Sequence, residues 1–404
     1  MTPKTLRSGL QAGRLGLSPD KAATRRVELR QILSKACALV KRRDLELVLL
    51  PGDLFDDEAA TQDTINFVID HLAGLAPVPV AIAPGNHDYY SLGSPYNNDL
   101  LMARKQRPWP DNVHIFKDGR WSSHVFAGLP GVRITGMAHS ANAALTERLL
   151  ARRVPREGSG TSGAGDPIEI LIFHGSRDCA RIPARKLRTL PFSDSELTSQ
   201  GFDYAAVGHY HSYAAILGPG GRIAGAYAGC PSARGLDEEG EKVVLVGEIQ
   251  KDLEACQVSL ETVRVDRRSV SVVEVNCTGA THREAILRRV EEALLAKEPA
   301  PEDLVQIRLA GRIAPGIDPR MPEGVFEDRY FHVSLDLSRL KPDYNLERYR
   351  DERLKTTEAR FAREMLAQID DAELDPARRR LLENALYYGL DALIQKEVSP
   401  RYED

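Results

Sequence analysis

The sequence predicts an α/β fold, and three observations carry that prediction. The run Leu47-Val48-Leu49-Leu50 is short and uninterrupted by polar residues, as expected of a strand buried on both faces. It stops at Pro51-Gly52, where glycine lets the backbone turn without a side-chain clash, and leads into Asp53-Leu54-Phe55-Asp56. The same strand-then-turn arrangement recurs in Pro77–Ala83 before Gly85-Asn86-His87-Asp88, in Ile168–Phe173 before His174-Gly175, and in Phe202–Val207 before Gly208-His209-Tyr210-His211. Ligands in open α/β sheets sit just beyond the carboxyl ends of such strands. The four turns are therefore expected to bring carboxylate, amide and imidazole groups to one edge of one sheet.

The remaining elements follow in chain order. Ser18-Pro19-Asp20 opens a helix, with serine at the cap and proline at the first helical position. Leu29, Ile32, Leu33, Ala36 and Val40 form its apolar stripe, expected to pack on the sheet. A second helix, Thr61 to Ala73, links the Asp53 strand to the Asn86 strand as a β-α-β unit. The tyrosine-rich loop from Tyr89 to Asn98 reads either as packing or as a substrate surface. Short strands are expected near Val113–Phe116, His124–Ala127 and Val132–Met137, with His139 in a structural role. Arg156 to Pro167 is a Gly/Ser-rich excursion, and Lys242 to Ile249 another strand. Strands around Val270–Val275 and Val305–Leu309 with a helix from Thr281 to Lys297 make a smaller α/β piece, and from Asn345 the pattern is helical. The predicted divisions are 1–265, 266–340 and 341–404.

Composition bounds the function. With 54 basic and 58 acidic residues among 404, the net charge is -4, so any nucleic-acid contact must come from local patches. The basic run after His174, beginning with Arg177 and Arg181, is the candidate for phosphate contact. Five scattered cysteines show no metal-binding spacing and no complete disulfide framework, which points to a reducing cytoplasm. No segment has the apolar length to span a membrane. Mixed oxygen and imidazole donors suit Mn, Fe or Zn, whereas a site for Ca or Mg alone has little use for histidine.

Taken in order, Gly52-Asp53-x-x-Asp56, Gly85-Asn86-His87-Asp88, His174-Gly175 and Gly208-His209-x-His211 resemble the motifs of the calcineurin-like metallophosphoesterase superfamily. Within it the chain looks most like the DNA-repair exonuclease branch, the SbcD-type and YhaO-type nucleases. The resemblance implies a metallophosphoesterase β-sandwich flanked by helices, a small α/β capping domain and a helical C-terminal region. It also implies a two-metal site in which Asp53 bridges the ions. Asn86, His174 and His209 would complete the second ion's ligands, and His211 would join Asp53 at the first. Mn2+ is the leading candidate, with Fe, Zn or Mg as alternatives. His87 would protonate the leaving oxygen, oriented by Asp56.

The chain departs from the pattern near its beginning. Ser8-Gly9-Leu10-Gln11-Ala12-Gly13 stands where relatives carry Ser-Asp-x-His-x-Gly, so Gly9 and Gln11 replace two ligands of the first ion. Either half of the first site is lost, or this beginning is not that of a functional family member. The expected activity is a metal-dependent phosphodiesterase acting on single-stranded DNA or DNA ends with a weakened first site. The implied partner is a large SMC/SbcC-like ATPase, docked through the C-terminal helices, and a homodimer stays open. Two competing readings are a non-catalytic subunit binding DNA ends or the ATPase, and a small-nucleotide phosphodiesterase. A protein phosphatase fits poorly, because Asp57-Glu58 and Asp88 stand where those relatives carry Arg-Gly and glutamate.

Overall fold

The structure is a computed structural model. It describes residues 16–55, 60–140, 145–156, 166–178, 189–252, 256–314, 317–320, 324–371 and 375–396. Gly9, Gln11, Asp56 and Arg181 lie outside these residues. Among the described residues no helix is long and apolar enough to cross a membrane.

The chain forms two compact units. The first comprises residues 1–273, 294–307 and 321–336, and the second 274–293, 308–320 and 337–404. In the first unit, β1 (Val48–Leu50), β2 (Val80–Ile82) and β3 (Val113–Ile115) form a parallel three-stranded sheet. A six-stranded sheet has the order β4-β5-β6-β7-β9-β8 and contains β4 (Ser122–His124), β5 (Val132–Gly136), β6 (Ile168–His174), β7 (Tyr204–Gly208), β8 (Ala214–Leu217) and β9 (Ile223–Tyr227). Its inner strands β5, β6, β7 and β9 run parallel, and β4 and β8 close its edges antiparallel. The four candidate turns are thus divided between two sheets. The expectation of one shared sheet edge is corrected, because β1 and β2 pair with each other while β6 and β7 pair in the second sheet.

Alternation along the strands explains the layering. Leu171 and Phe173 of β6 join one apolar cluster with Leu190, Phe192 and Val207. Ile170 and Ile172 point the other way, into a cluster with Ala81, Ala83, Phe116 and Ile134 that fills the space between the sheets. Both faces of β6 are therefore covered, and each large side chain so buried contributes about 1.5–3 kcal/mol. The outer face of the first sheet is covered by Leu33, Cys37 and Val40 of α1 (Pro19–Arg42) and by Ile65, Val68, Ile69 and Leu72 of α2 (Gln62–Ala73). The predicted stripe of α1 divides its contacts. Leu29, Ile32 and Leu39 pack instead with Val244 and Val265 at the hairpin of β10 (Val243–Lys251) and β11 (Cys256–Arg264).

Two short helices, α3 (Asn98–Ala103) and α4 (Asp194–Thr198), follow the second and third candidate turns. Beyond the hairpin, β12 (Val270–Asn276), β13 (Leu304–Ile313) and β14 (His332–Pro342) pair in that order, with α5 (Arg283–Lys297) between the first two. The second unit ends in α6 (Leu346–Tyr349), α7 (Thr357–Ile369) and α8 (Pro376–Gln395). There Ala362, Leu366, Leu386 and Leu390 are buried together beside Tyr344.

Candidate metal centre and active site

The turn after β1 is held in an unusual backbone conformation. Asp53 has φ 55 and Gly52 φ 87, and a Cβ on Gly52 would lie 2.7 Å from Gly85 Cα, so the first two candidate turns touch backbone to backbone. Asp88 ties them together. Its Oδ1 accepts from Asp53 N (3.0 Å) and Gly85 N (2.6 Å), and its Oδ2 from Leu54 N (2.5 Å), Phe55 N (3.1 Å) and Tyr96 Oη (2.6 Å). Burial, then the charge of Asp53, raises the Asp88 carboxyl to about 6, while its hydrogen bonds pull the other way. All five hydrogen-bond partners are donors, so the nest favours the ionised carboxylate.

The end of β7 comes equally close. A Cβ on Gly208 would collide with the Pro51 carbonyl, so only glycine lets β7 lie against the end of β1. His174 fills this junction. Its Nδ1 is 2.9 Å from the Pro51 carbonyl, and its Nε2 is 3.0 Å from Asn86 Oδ1 and 3.4 Å from Asp53 Oδ2. His87 is carried on the same turn, its backbone N–H donating to Asp53 Oδ1 at 2.9 Å. The His209 ring stands nearly perpendicular to that of His174, with centroids 5.2 Å apart, on a residue with φ 116. Left-handed conformations at Asp53 and His209 each cost on the order of 1–3 kcal/mol and persist only where the surroundings enforce them.

This donor set fits a divalent ion. A carbonyl can only accept, so the neutral His174 ring carries its hydrogen on Nδ1, and the Nε2 lone pair faces two oxygens. Three possible ligand atoms are thus gathered here, with both oxygens within 3.4 Å of the nitrogen. Ligand atoms bound at about 2.0–2.2 Å to a shared ion are separated by roughly the distances seen here. Asp53 and His174 are each 1% exposed, whereas Asn86, His87 and His209 are half-buried.

Other candidates are placed differently. His139 is buried, its Nε2 donates to the His174 carbonyl at 3.0 Å, and burial lowers its pKa. It supports the centre from behind, as expected of a structural histidine. The His211 Nδ1 lies 2.7 Å from Glu238 Oε1. Arg177, the candidate phosphate contact, is held in a two-pronged pair by Asp194 and also donates to the Ala215 carbonyl at 3.2 Å. The sequence reading could not see this carboxylate, 17 residues downstream, folding back onto Arg177. In the tyrosine-rich loop, Tyr96 packs between Phe55 and Trp109 and serves as a structural donor. Cys230 is buried, and burial, then the Glu238 charge, pushes its thiol up to about 12, which disfavours the thiolate. Sequence reasoning missed the Asp88 nest, the Pro51 carbonyl and Glu238. Only the first had a signal, its place at the end of Gly-Asn-His-Asp.

The family profile described as calcineurin-like phosphoesterase matches residues 25–213, which include all four surviving turns. The chain is also similar to a Bacillus subtilis (strain 168) protein named uncharacterized metallophosphoesterase YhaO. They are 25% identical over 266 residues, covering 64% of this chain and 59% of that relative. The match thus spans less than two thirds of the relative's length. Residues 25–213 are thus similar to calcineurin-like phosphoesterases.

Proposed function

We propose that this protein is a metal-dependent phosphodiesterase acting on DNA, as a subunit of the SbcD-type exonuclease kind. The observation that carries the hydrolytic reading is the convergence of His174 Nε2, Asn86 Oδ1 and Asp53 Oδ2. Asp53, Asn86, His174 and His209 would hold a divalent ion, Mn2+ first. When bound, such an ion polarises the phosphate and makes a coordinated water nucleophilic. The chain's own groups do the rest. The Pro51 carbonyl fixes the His174 tautomer, the Asp88 nest locks the two turns, and half-buried His87 protonates the leaving oxygen.

DNA as substrate rests on the motif resemblance to the exonuclease branch and on the extra elements beyond residue 213. Exposed Leu381, Leu393 and Ile394 on α8 support docking of an ATPase partner through the C-terminal helices. The test is cleavage of bis-p-nitrophenyl phosphate and of single-stranded DNA during Mn2+ titration. Turnover should appear with metal and fall by about 10²–10⁴-fold in His87→Ala. No turnover at any metal concentration, with DNA still bound, would favour a non-catalytic subunit. One observation leans that way, since Glu238 already engages the His211 expected at the first ion.

A further inference from the structure

His211 already has a cation beside it. The Nη2 of Arg234 is 3.0 Å from His211 Nδ1 and 3.2 Å from its Nε2. Glu238 holds both residues, accepting from the Arg234 backbone N–H at 3.0 Å and from its Nε at 3.3 Å. Lys242 Nζ at 3.3 Å and Cys230 Sγ at 3.4 Å fix the His211 carbonyl. His211, Cys230 and Glu238 offer donor atoms within 4.8 Å of one another, a spacing that could take a metal ion. A metal there would first have to displace the guanidinium from Glu238.

Charge balance favours the guanidinium. The first ion's usual carboxylate and imidazole are replaced by Gly9 and Gln11, which bring no charge. One carboxylate, Glu238, then balances a monovalent guanidinium better than a divalent ion. Two guanidinium nitrogens are engaged, while Nη1 has no partner among the described residues and is not among the buried unpaired atoms. An arginine clamped by a carboxylate, with donors still open to solvent, is preorganised to bind a phosphate oxygen. His211 shares its turn with His209, on the other side of Tyr210.

We propose that Arg234 binds the substrate phosphate, its guanidinium beside His211 supplying the positive charge a first ion would otherwise bring. This deepens the phosphodiesterase reading and rests on it for the choice of substrate, but its test does not require turnover. Inorganic phosphate is titrated calorimetrically into the full-length chain, metal-free and Mn2+-loaded, for wild type, Arg234→Ala and Arg234→Lys. Metal content is measured in parallel by mass spectrometry.

The expected result is about tenfold or greater weakening of phosphate binding in Arg234→Ala in both states, with unchanged metal content and a smaller loss in Arg234→Lys, which keeps the charge but not the fork. With turnover, KM should rise more than kcat falls. Unchanged phosphate affinity in folded Arg234→Ala, or a second tightly bound ion in wild type, overturns the proposal. If Arg234→Ala does not fold, Arg234→Lys decides, and wild-type affinity there together with wild-type KM overturns it. Arg234-dependent phosphate binding without turnover sinks the hydrolytic reading alone. Turnover with an unchanged KM in Arg234→Ala sinks this proposal alone.

Discussion

Two carboxylates three residues or more apart from their partners in sequence carry different tasks at the centre. Asp53 presents an oxygen to His174 Nε2, while Asp88 spends both oxygens on backbone N–H groups and the Tyr96 hydroxyl. The Tyr96 bond is made to an ionised, fully buried acceptor, so Tyr96→Phe should destabilise the protein by about 1.5–3 kcal/mol, read from its urea midpoint. Gly208→Ala should do more. Its Cβ would strike the Pro51 carbonyl, the group that fixes His174, so stability and Mn2+ affinity should fall together, the first by about 1–3 kcal/mol. Retained Mn2+ affinity in a destabilised Gly208→Ala would separate the junction from the metal site.

At the scale of elements, the strands buried on both faces govern stability. Phe173 of β6 packs edge-on against Phe192 and Trp121, and Phe173→Ala should cost about 3–5 kcal/mol in chemical denaturation. Where β3 meets β4, His114 and His124 stack in parallel with centroids 3.7 Å apart. Burial, then the neighbouring His124 and Lys117, lowers His114 to about 4, and burial lowers His124 as well. A histidine whose folded pKa lies below its unfolded value takes up its proton more readily when unfolded. Stability should therefore fall as pH drops from about 6.5 toward 4 and level off below. Thermal melts across that window should show the slope in wild type and a shallower one in His114→Phe. Equal slopes would place the acid sensitivity elsewhere.

The elements also differed in how far they could be read. Ile168–His174 and Val48–Leu50 were legible because aliphatic and β-branched runs have few alternatives to a covered strand. The strands Ala214–Leu217 and Ile223–Tyr227 were not anticipated, being short and rich in alanine and glycine. They are strands because β7 offers a pairing edge to β9, and β9 to β8. The expected strand at His124–Ala127 forms earlier, at Ser122–His124, where Ser123 pairs with Thr135 through both backbone register and hydroxyl contact.

On the scale of the whole molecule, the two compact units should respond to core mutations separately. In the second unit, Tyr344 donates to buried Asp391 at 2.6 Å, and the Arg312 guanidinium stacks 3.7 Å from the Tyr387 ring centroid. Leu390 is fully buried in the adjoining cluster, so Leu390→Ala should cost about 2–5 kcal/mol. Hydrogen exchange should then accelerate in α7 and α8 while β6 keeps its protection. Equal acceleration in β6 would show one cooperative unit.

The amino-acid sequence by itself determined the chemistry on offer. Strand-ending turns with Asp53, Asn86, His174 and His209 could be recognised because hydrophobic runs and glycine turns are local properties. Tertiary structure alone decided which groups meet. It divided the four turns between two sheets and closed the Asp88 nest. It also paired Arg177 with Asp194, and set Glu238 and Arg234 against His211. Most of those pairings join residues 17 or more positions apart, which no local pattern encodes. They arise because buried donors and charges must find partners once the two sheets have packed.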